Sequence, residues 1–209
     1  MKLINKLKTI VYRQVRLRGY KHIAQTAYIR RNVTVYNKDN LEMEDYTNIN
    51  PGAIIMNTNA KFIMKKYSGA AIGLTVITGN HMSVIGMNFK QVTDKVKEQY
   101  DPNRTLDKDV IVGEDVWIAS NVTLLSGVKL GRGGIIGAGS VVRMNTPPYA
   151  IVNGNPAKVV GFRFTPEEII EHEKIQYAED DRLPLETLQK NYDKYFLKRI
   201  KEIKNFVKI

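Results

Sequence analysis

From Val112 onward, aliphatic side chains return every six residues, at Val112, Ile118, Leu124, Leu130, Ile136 and Val142. The fourth position after each of the first five holds Val116, Val122, Val128, Gly134 and Ser140, a second column of small to medium side chains in the same period. A helix repeats every 3.6 residues and a half-buried strand every two, so neither produces this register. A solenoid of short flat strands with a turn every six residues does, because each aliphatic then points inward and stacks on its counterpart one coil away. Three such faces close a triangular coil. Weaker copies lie upstream: Ile23, Ile29 and Val35 with Ala27 and Val33, then Met43, Ile49 and Ile55 with Thr47 and Ala53. A further group, Met64, Ala70 and Val76, fits the pattern, but the sequence leaves its phase open. The pattern predicts about five coils with slips at 36–42 and 56–63. Directly after the aliphatic stand Gly113, Ala119, Leu125, Gly131 and Gly137, where a tight corner with unusual dihedrals is expected.

The period lapses between His81 and Asp109, leaving a polar excursion, 82–109, with Asp101-Pro102-Asn103 as turn chemistry. Insertions of this length are either functional or disordered, and both readings stand at this point. Pro147-Pro148 stops the last coil, since proline cannot donate to a ladder. Thr165-Pro166-Glu167-Glu168 reads as a helix start with Thr165 as N-cap. One helix is predicted from there to about Ala178 and a second from about Leu185 to Val207, capping or flanking the solenoid. The organisation is thus a basic amphipathic helix over 1–21, a solenoid over 22–163 and a helical appendage over 164–209.

With 43% hydrophobic and 25% charged residues the 209-residue chain reads as a soluble globular protein, and it shows neither a membrane-spanning run nor a cleaved leader. Its expected address is the cytoplasm. Without cysteine, disulfides, thiolate metal sites and thiol nucleophiles are excluded. The net charge of +11 belongs to the ends: residues 1–21 hold seven bases and no acid, residues 190–209 hold seven bases against Asp193 and Glu202, and the body sums to −1. Leu3, Leu7, Ile10, Val11 and Val15 fall at helical spacing among the N-terminal bases. Such a helix either lies on the inner face of an anionic membrane as a peripheral contact or packs as a cap with solvated lysines. Nucleic acid fits poorly, because no aromatic stacking platform accompanies the bases.

Three histidines are present. His22 precedes the first hexad, and His172 sits in the acidic run Glu167–Glu173, where a solvated helix position is expected. His81 follows Thr78-Gly79-Asn80 where the third coil ends and the excursion begins, a place from which a side chain can face a cleft between subunits. An imidazole there can take the proton of a hydroxyl or amine as it attacks a thioester carbonyl.

The run VIVGEDVWIASNVTLLSGVKLGRGGIIGAGSVV followed by PPYAIVNGNPAKVV resembles the hexapeptide-repeat acyltransferases, on the sugar and xenobiotic O-acetyltransferase branch, with the likeness extending over roughly residues 20–165. The resemblance implies an all-β solenoid, a left-handed parallel β-helix; the handedness comes from the family, not from the periodicity. It implies acetyl-CoA as acetyl donor, no metal, and a homotrimer whose donor groove lies between adjacent solenoids, with the excursion reaching toward a neighbouring subunit. His81 takes the place of the catalytic histidine. Trp117 matches the tryptophan of the Val-Trp-Ile-Gly motif, although Ala119 replaces the glycine, and would flank the pantetheine arm. Ser120 and Ala138 match positions whose backbone approaches the pantetheine; corner packing would also select small residues there. Gly154-Asn155-Pro156-Ala157-Lys158 matches the loop at the adenosine end, and Arg143, Lys158 and Arg163 are the candidates for the CoA phosphates. Arg104 stands where relatives carry an Arg followed by a Glu, but the following acids here are Asp107 and Asp109, so that Glu has no counterpart. Zinc carbonic anhydrases of this fold need three coil histidines, and only His81 is available. The implied reaction is direct transfer to a sugar hydroxyl in a cell-surface polysaccharide or its precursor; an antibiotic acetyltransferase, an amino-sugar N-acetyltransferase and a non-catalytic membrane-associated scaffold are the alternatives.

Overall fold

The computed structural model describes Val11 and residues 17–200. Three parallel sheets form the walls of a solenoid. The first contains β1 (His22–Ile23), β4 (Leu41–Met43), β7 (Phe62–Met64), β10 (Val110–Val112) and β13 (Lys129–Leu130). The second contains β2 (Tyr28–Ile29), β5 (Asn48–Ile49), β8 (Gly69–Ala70), β11 (Trp117–Ile118), β14 (Ile135–Ile136) and β16 (Ala150–Gly154), closed by the antiparallel β17 (Ala157–Phe162). The third contains β3 (Thr34–Val35), β6 (Ile54–Met56), β9 (Thr75–Ile77), β12 (Thr123–Leu124) and β15 (Val141–Val142). Five coils are complete, and β16 begins a sixth.

The inward columns are those of the six-residue pattern. Ile23, Met43, Met64, Val112 and Leu130 are in register down the first sheet. Ile29, Ile49, Ala70, Ile118, Ile136 and Val152 follow down the second, and Val35, Ile55, Val76, Leu124 and Val142 down the third. The structure therefore fixes the phase of Met64, Ala70 and Val76. Two-residue strands hold because removing these aliphatics from water along an uninterrupted column supplies what short ladders alone cannot. Polar members of the second column are satisfied locally: the hydroxyls of Thr47, Ser68 and Ser140 donate to the carbonyls of Glu44, Lys65 and Gly137, each three residues back.

The corners differ from expectation. The left-handed backbone falls on the third residue after the aliphatic, at Asn32, Tyr46, Gly52, Tyr67, Gly73, Asp115, Asn121, Gly127, Gly133 and Gly139, not on the first. Gly113 and Gly131 are selected by close approach instead: a Cβ would lie 2.6 Å from the Leu130 carbonyl oxygen at Gly113 and 2.5 Å from the Pro148 nitrogen at Gly131. Residues 145–148 cover the edge of β13, with the Thr146 N–H donating to the Lys129 carbonyl and the Lys129 N–H donating to Asn145 Oδ1. Prolines at this spot add no donor to a sheet edge.

The excursion is ordered and carries α1 (Asp94–Tyr100). Its two ends meet, because the Lys108 N–H and the Ser126 hydroxyl both donate to the Thr78 carbonyl. After β17 come α2 (Pro166–Gln176), opened by a Thr165/Glu168 capping box, and α3 (Leu185–Tyr195). The second helix is shorter than the sequence predicts. At Phe196 the chain tightens into a 3₁₀ turn over Leu197–Arg199, and the Arg199 guanidinium donates to the Val159 carbonyl. Residues 201–209, like the predicted basic helix over most of 1–21, lie outside the described residues; Leu17 is buried in the solenoid core.

Ile169 and Leu188 pack against Tyr149 to seat the helices on the last coil. Beneath them Glu173 is fully buried; it receives the Tyr149 hydroxyl at 3.0 Å and the Leu183 N–H, and pairs with Arg132. The acidic run is thus not wholly a solvated face. His172 is half-buried as well, its ring edge-on to Tyr149 and tilted against Phe164.

Candidate functional site

His81 projects from the corner between the third and first sheets. The residues before it are pinned: the Thr78 hydroxyl donates to the Ala60 carbonyl, the Asn80 side chain donates to the Leu106 carbonyl, and the Asn80 N–H donates to Asp107 Oδ1. Gly79 sits closely against the same carboxylate, since a Cβ would stand 3.0 Å from Asp107 Oδ1 and press on it. With the backbone held from below, the imidazole is exposed. Its Nδ1 lies 2.8 Å from the Met82 carbonyl oxygen. A carbonyl oxygen only accepts, so this contact requires the proton on Nδ1 and leaves the Nε2 lone pair free to accept another. Phe89 lies against the ring at 4.4 Å between centroids, fixing its tilt.

The orienting partner of His81 that the sequence hid is therefore a neighbouring backbone carbonyl, and Phe89 is the second positioning group. An aromatic residue inside a polar excursion was the one available signal. Asp107, a loop carboxylate that could otherwise accept a proton, is unsuited to it. Its carboxylate is buried and takes Lys97 Nζ at 2.7 Å and the Asn59 side chain at 3.0 Å. Burial acts to raise its pKa, but the Lys97 and Asn59 hydrogen bonds outweigh burial and the net shift is downward. Asp101 is also lowered: desolvation works the other way, but the N–H groups of Thr105 and Leu106 stabilise its charge and close the turn after α1.

Trp117 lies on β11 in the second sheet, 58% exposed, flanked in register by Gly69 and Ile135. Ser120 and Ala138 stack at the following corner, where the Gly139 N–H donates to the Ser120 carbonyl. Gly154 reaches the same corner, its N–H donating to Ser140 Oγ, and Lys158 pairs with Asn153 across the hairpin. Arg143, just beyond β15, is exposed. Trp117, Ser120, Ala138 and Lys158 thus lie on the second sheet and its corner with the third, whereas Arg143 leaves β15 at the corner between the third and first sheets, the one from which His81 projects two coils earlier. Arg163 does not join them. It lies at the corner between the first and second sheets, donating to Asp115 Oδ2 at 2.7 Å and to the Gly133 carbonyl at 3.2 Å. His81 stands at the third corner, so one chain does not bring it to Trp117. The excursion beside His81 exposes Ile85, Met87, Phe89 and Tyr100.

Residues 109–143 match the family model described as bacterial transferase hexapeptide (six repeats). No curated protein sequence is significantly similar to the chain. Among solved structures it resembles a hexapeptide-repeat-containing acetyltransferase from Vibrio cholerae O1 biovar eltor complexed with acetyl-coenzyme A, at 20% identity and TM-score 0.54, over 76% of this chain and 77% of that one. A maltose O-acetyltransferase from Clostridium difficile 630 gives 22% identity and TM-score 0.54 over 72% and 71%. A mutant of the N-acyltransferase AntD from Bacillus cereus, in complex with dTDP and coenzyme A, gives 16% identity and TM-score 0.51 over 78% and 95%. The chain carries a hexapeptide repeat that matches this family model over residues 109–143, and its fold is a left-handed parallel β-helix.

Proposed function

We propose that the protein is an acetyl-CoA-dependent acetyltransferase that acts on a hydroxyl of a sugar in a cell-surface polysaccharide or its precursor. The observation that carries this reading is the His81 tautomer, because an exposed imidazole with Nδ1–H held by the Met82 carbonyl offers Nε2 as a general base. Nε2 takes the acceptor hydroxyl proton, the oxygen attacks the thioester carbonyl, and the departing CoA thiolate is protonated by the imidazolium. No acyl-enzyme forms. The donor fits the second wall: Trp117 offers an exposed face for the pantetheine, Ser120 and Ala138 leave their corner open to close backbone approach, and Lys158 supplies a cation for the phosphates, with Arg143 as the exposed cation of the next corner. Arg163 is held by Asp115 and is the weakest of the three cations for that role.

Because His81 and Trp117 occupy different walls, a complete site calls for a second copy, which supports the expected homotrimer. Seven bases and no acid in residues 1–21 support peripheral contact with the inner face of the membrane. The likeness to an N-acyltransferase keeps amide formation as the second reading. Both are tested by incubating the protein with radiolabelled acetyl-CoA and a panel of neutral oligosaccharides and amino sugars. Label released by mild alkali is an ester and label that resists is an amide. Transfer that His81→Ala retains in full would remove the mechanism.

A further inference from the structure

At the corner before the second sheet, one position in each coil from the second onward adopts left-handed backbone: Tyr46, Tyr67, Asp115, Gly133 and Tyr149 follow one another along the solenoid. The corresponding left-handed corners between the second and third sheets carry only Asn or Gly, at Asn32, Gly52, Gly73, Asn121 and Gly139. Bulky side chains are disfavoured in this conformation, and a strained residue that persists without burial asks for a role. Tyr46 and Tyr67 are 60% and 59% exposed, so core packing does not explain them.

The two rings stack at 5.3 Å between centroids and 7° between planes. Tyr46 covers one face of Tyr67. The other face is directed toward the next coil, where Tyr67, Asp115, Arg163, His172, Gln176 and Tyr177 line a groove between the corner and α2. The groove offers the aromatic ring of Tyr67 and hydrogen-bonding groups at Asp115, His172 and Gln176, while the Tyr177 ring is already covered by the Arg132 guanidinium at 3.9 Å. The groove's own guanidinium, that of Arg163, is already paired with Asp115. An anion would find that cation taken, and an apolar ligand would strip water from a carboxylate and an imidazole without replacing it. A sugar ring presents C–H faces to an aromatic ring and hydroxyls that both donate and accept.

We propose that this corner is a saccharide-binding platform, separate from the His81 and Trp117 sites, on which one unit of a polymeric acceptor stacks on Tyr67, backed by Tyr46, with its hydroxyls directed to Asp115, His172 and Gln176. The choice of a sugar deepens the transferase reading above, but the binding itself requires no acetyl-CoA and no catalysis. The test is therefore calorimetric titration of the full chain with maltohexaose, cellohexaose and an N-acetylglucosamine hexamer, without donor, on wild type and Tyr67→Asn. Asn tolerates left-handed backbone, so the variant is expected to keep or raise its melting temperature while its affinity for the bound hexamer falls about tenfold or more. Unchanged affinity in Tyr67→Asn overturns the proposal, as does failure of wild type to bind any of the three at millimolar concentration. A change in sedimentation on substitution would also overturn it, because the stack would then be a contact between copies. A protein that binds the hexamer but transfers no acetyl group would retain the platform and lose the transferase reading.

Discussion

The Asp107 carboxylate holds the Lys97 ammonium at 2.7 Å across the neck of the excursion, tying α1 to the segment that carries His81. Asp107 also receives the Asn80 N–H, so one buried side chain connects the helix, the re-entry point and the residue before His81. Removing it leaves Lys97 facing a desolvated gap, and Asp107→Ala is expected to cost about 2–4 kcal/mol in urea unfolding. Turnover should fall more than donor affinity, since His81 loses its support while Trp117 is remote. The pH sign follows from the lowered pKa: the folded state keeps Asp107 ionised, so its stabilisation is present above the unfolded value of about 4 and is lost as pH falls below it. Acid unfolding of Asp107→Ala should show a shallower pH dependence than wild type; an equal slope would remove Asp107 from this role.

At the other end of the solenoid the titration runs in the opposite direction. Burial, reinforced by the Glu173 charge, raises the Tyr149 pKa far above 10, and burial, opposed in part by Arg132, pushes Tyr177 up to about 12. The folded state holds both phenols neutral while the unfolded chain ionises them above about pH 10, so stability falls as pH rises from 10 toward 12. Tyr149→Phe should flatten that alkaline loss. It should also cost about 1–3 kcal/mol at neutral pH, because buried Glu173 loses a donor. Denaturant midpoints at pH 8 and pH 11 check both.

The inward columns were readable because a period of six over consecutive coils has one physical explanation, and the structure places Val112 to Val142 in register as that period requires. The corners were not readable. Their left-handed position is occupied by Asn32, Tyr46, Tyr67, Asp115 and Asn121 as often as by glycine, so composition gave no marker, whereas Gly113 and Gly131 answer to a neighbouring coil that a linear pattern does not contain. Glu173 was read as part of a solvated run because its partner Arg132 lies 41 residues away. His81 stood out as a candidate from the place where the repeat stops, but the Met82 carbonyl that its Nδ1 meets belongs to the local fold of the excursion.

Donor binding and base catalysis are separable. Trp117 is exposed and contributes little to the core, so Trp117→Ala should leave the melting temperature nearly unchanged and weaken acetyl-CoA binding about tenfold. His81→Ala should lower turnover by ~10²- to 10⁴-fold with donor affinity intact, since an interaction made only in the transition state reduces kcat and kcat/KM together. Titration of each variant with CoA, beside initial rates, distinguishes them. Equal donor affinity in Trp117→Ala and wild type would move the pantetheine to another wall.

Two glycines separate the two reasons for glycine in this solenoid. Gly139 has φ of +70° with nothing within 4 Å of a built Cβ, so Gly139→Ala meets only backbone strain, about 1–2 kcal/mol. Gly139→Asn should recover part of that, since Asn occupies the same corner position at Asn121. Gly131 has no left-handed requirement, but a Cβ would lie 2.5 Å from the Pro148 nitrogen and 2.6 Å from the Pro147 carbonyl carbon. Both atoms are backbone and cannot rotate away, so Gly131→Ala must push residues 145–148 off the edge of β13. A loss of about 3 kcal/mol or more is expected, and no larger side chain should rescue it. Urea unfolding of the three variants decides the matter. If Gly131→Ala cost no more than Gly139→Ala, the proline segment would be free to move, and the edge of the first sheet would need another cover.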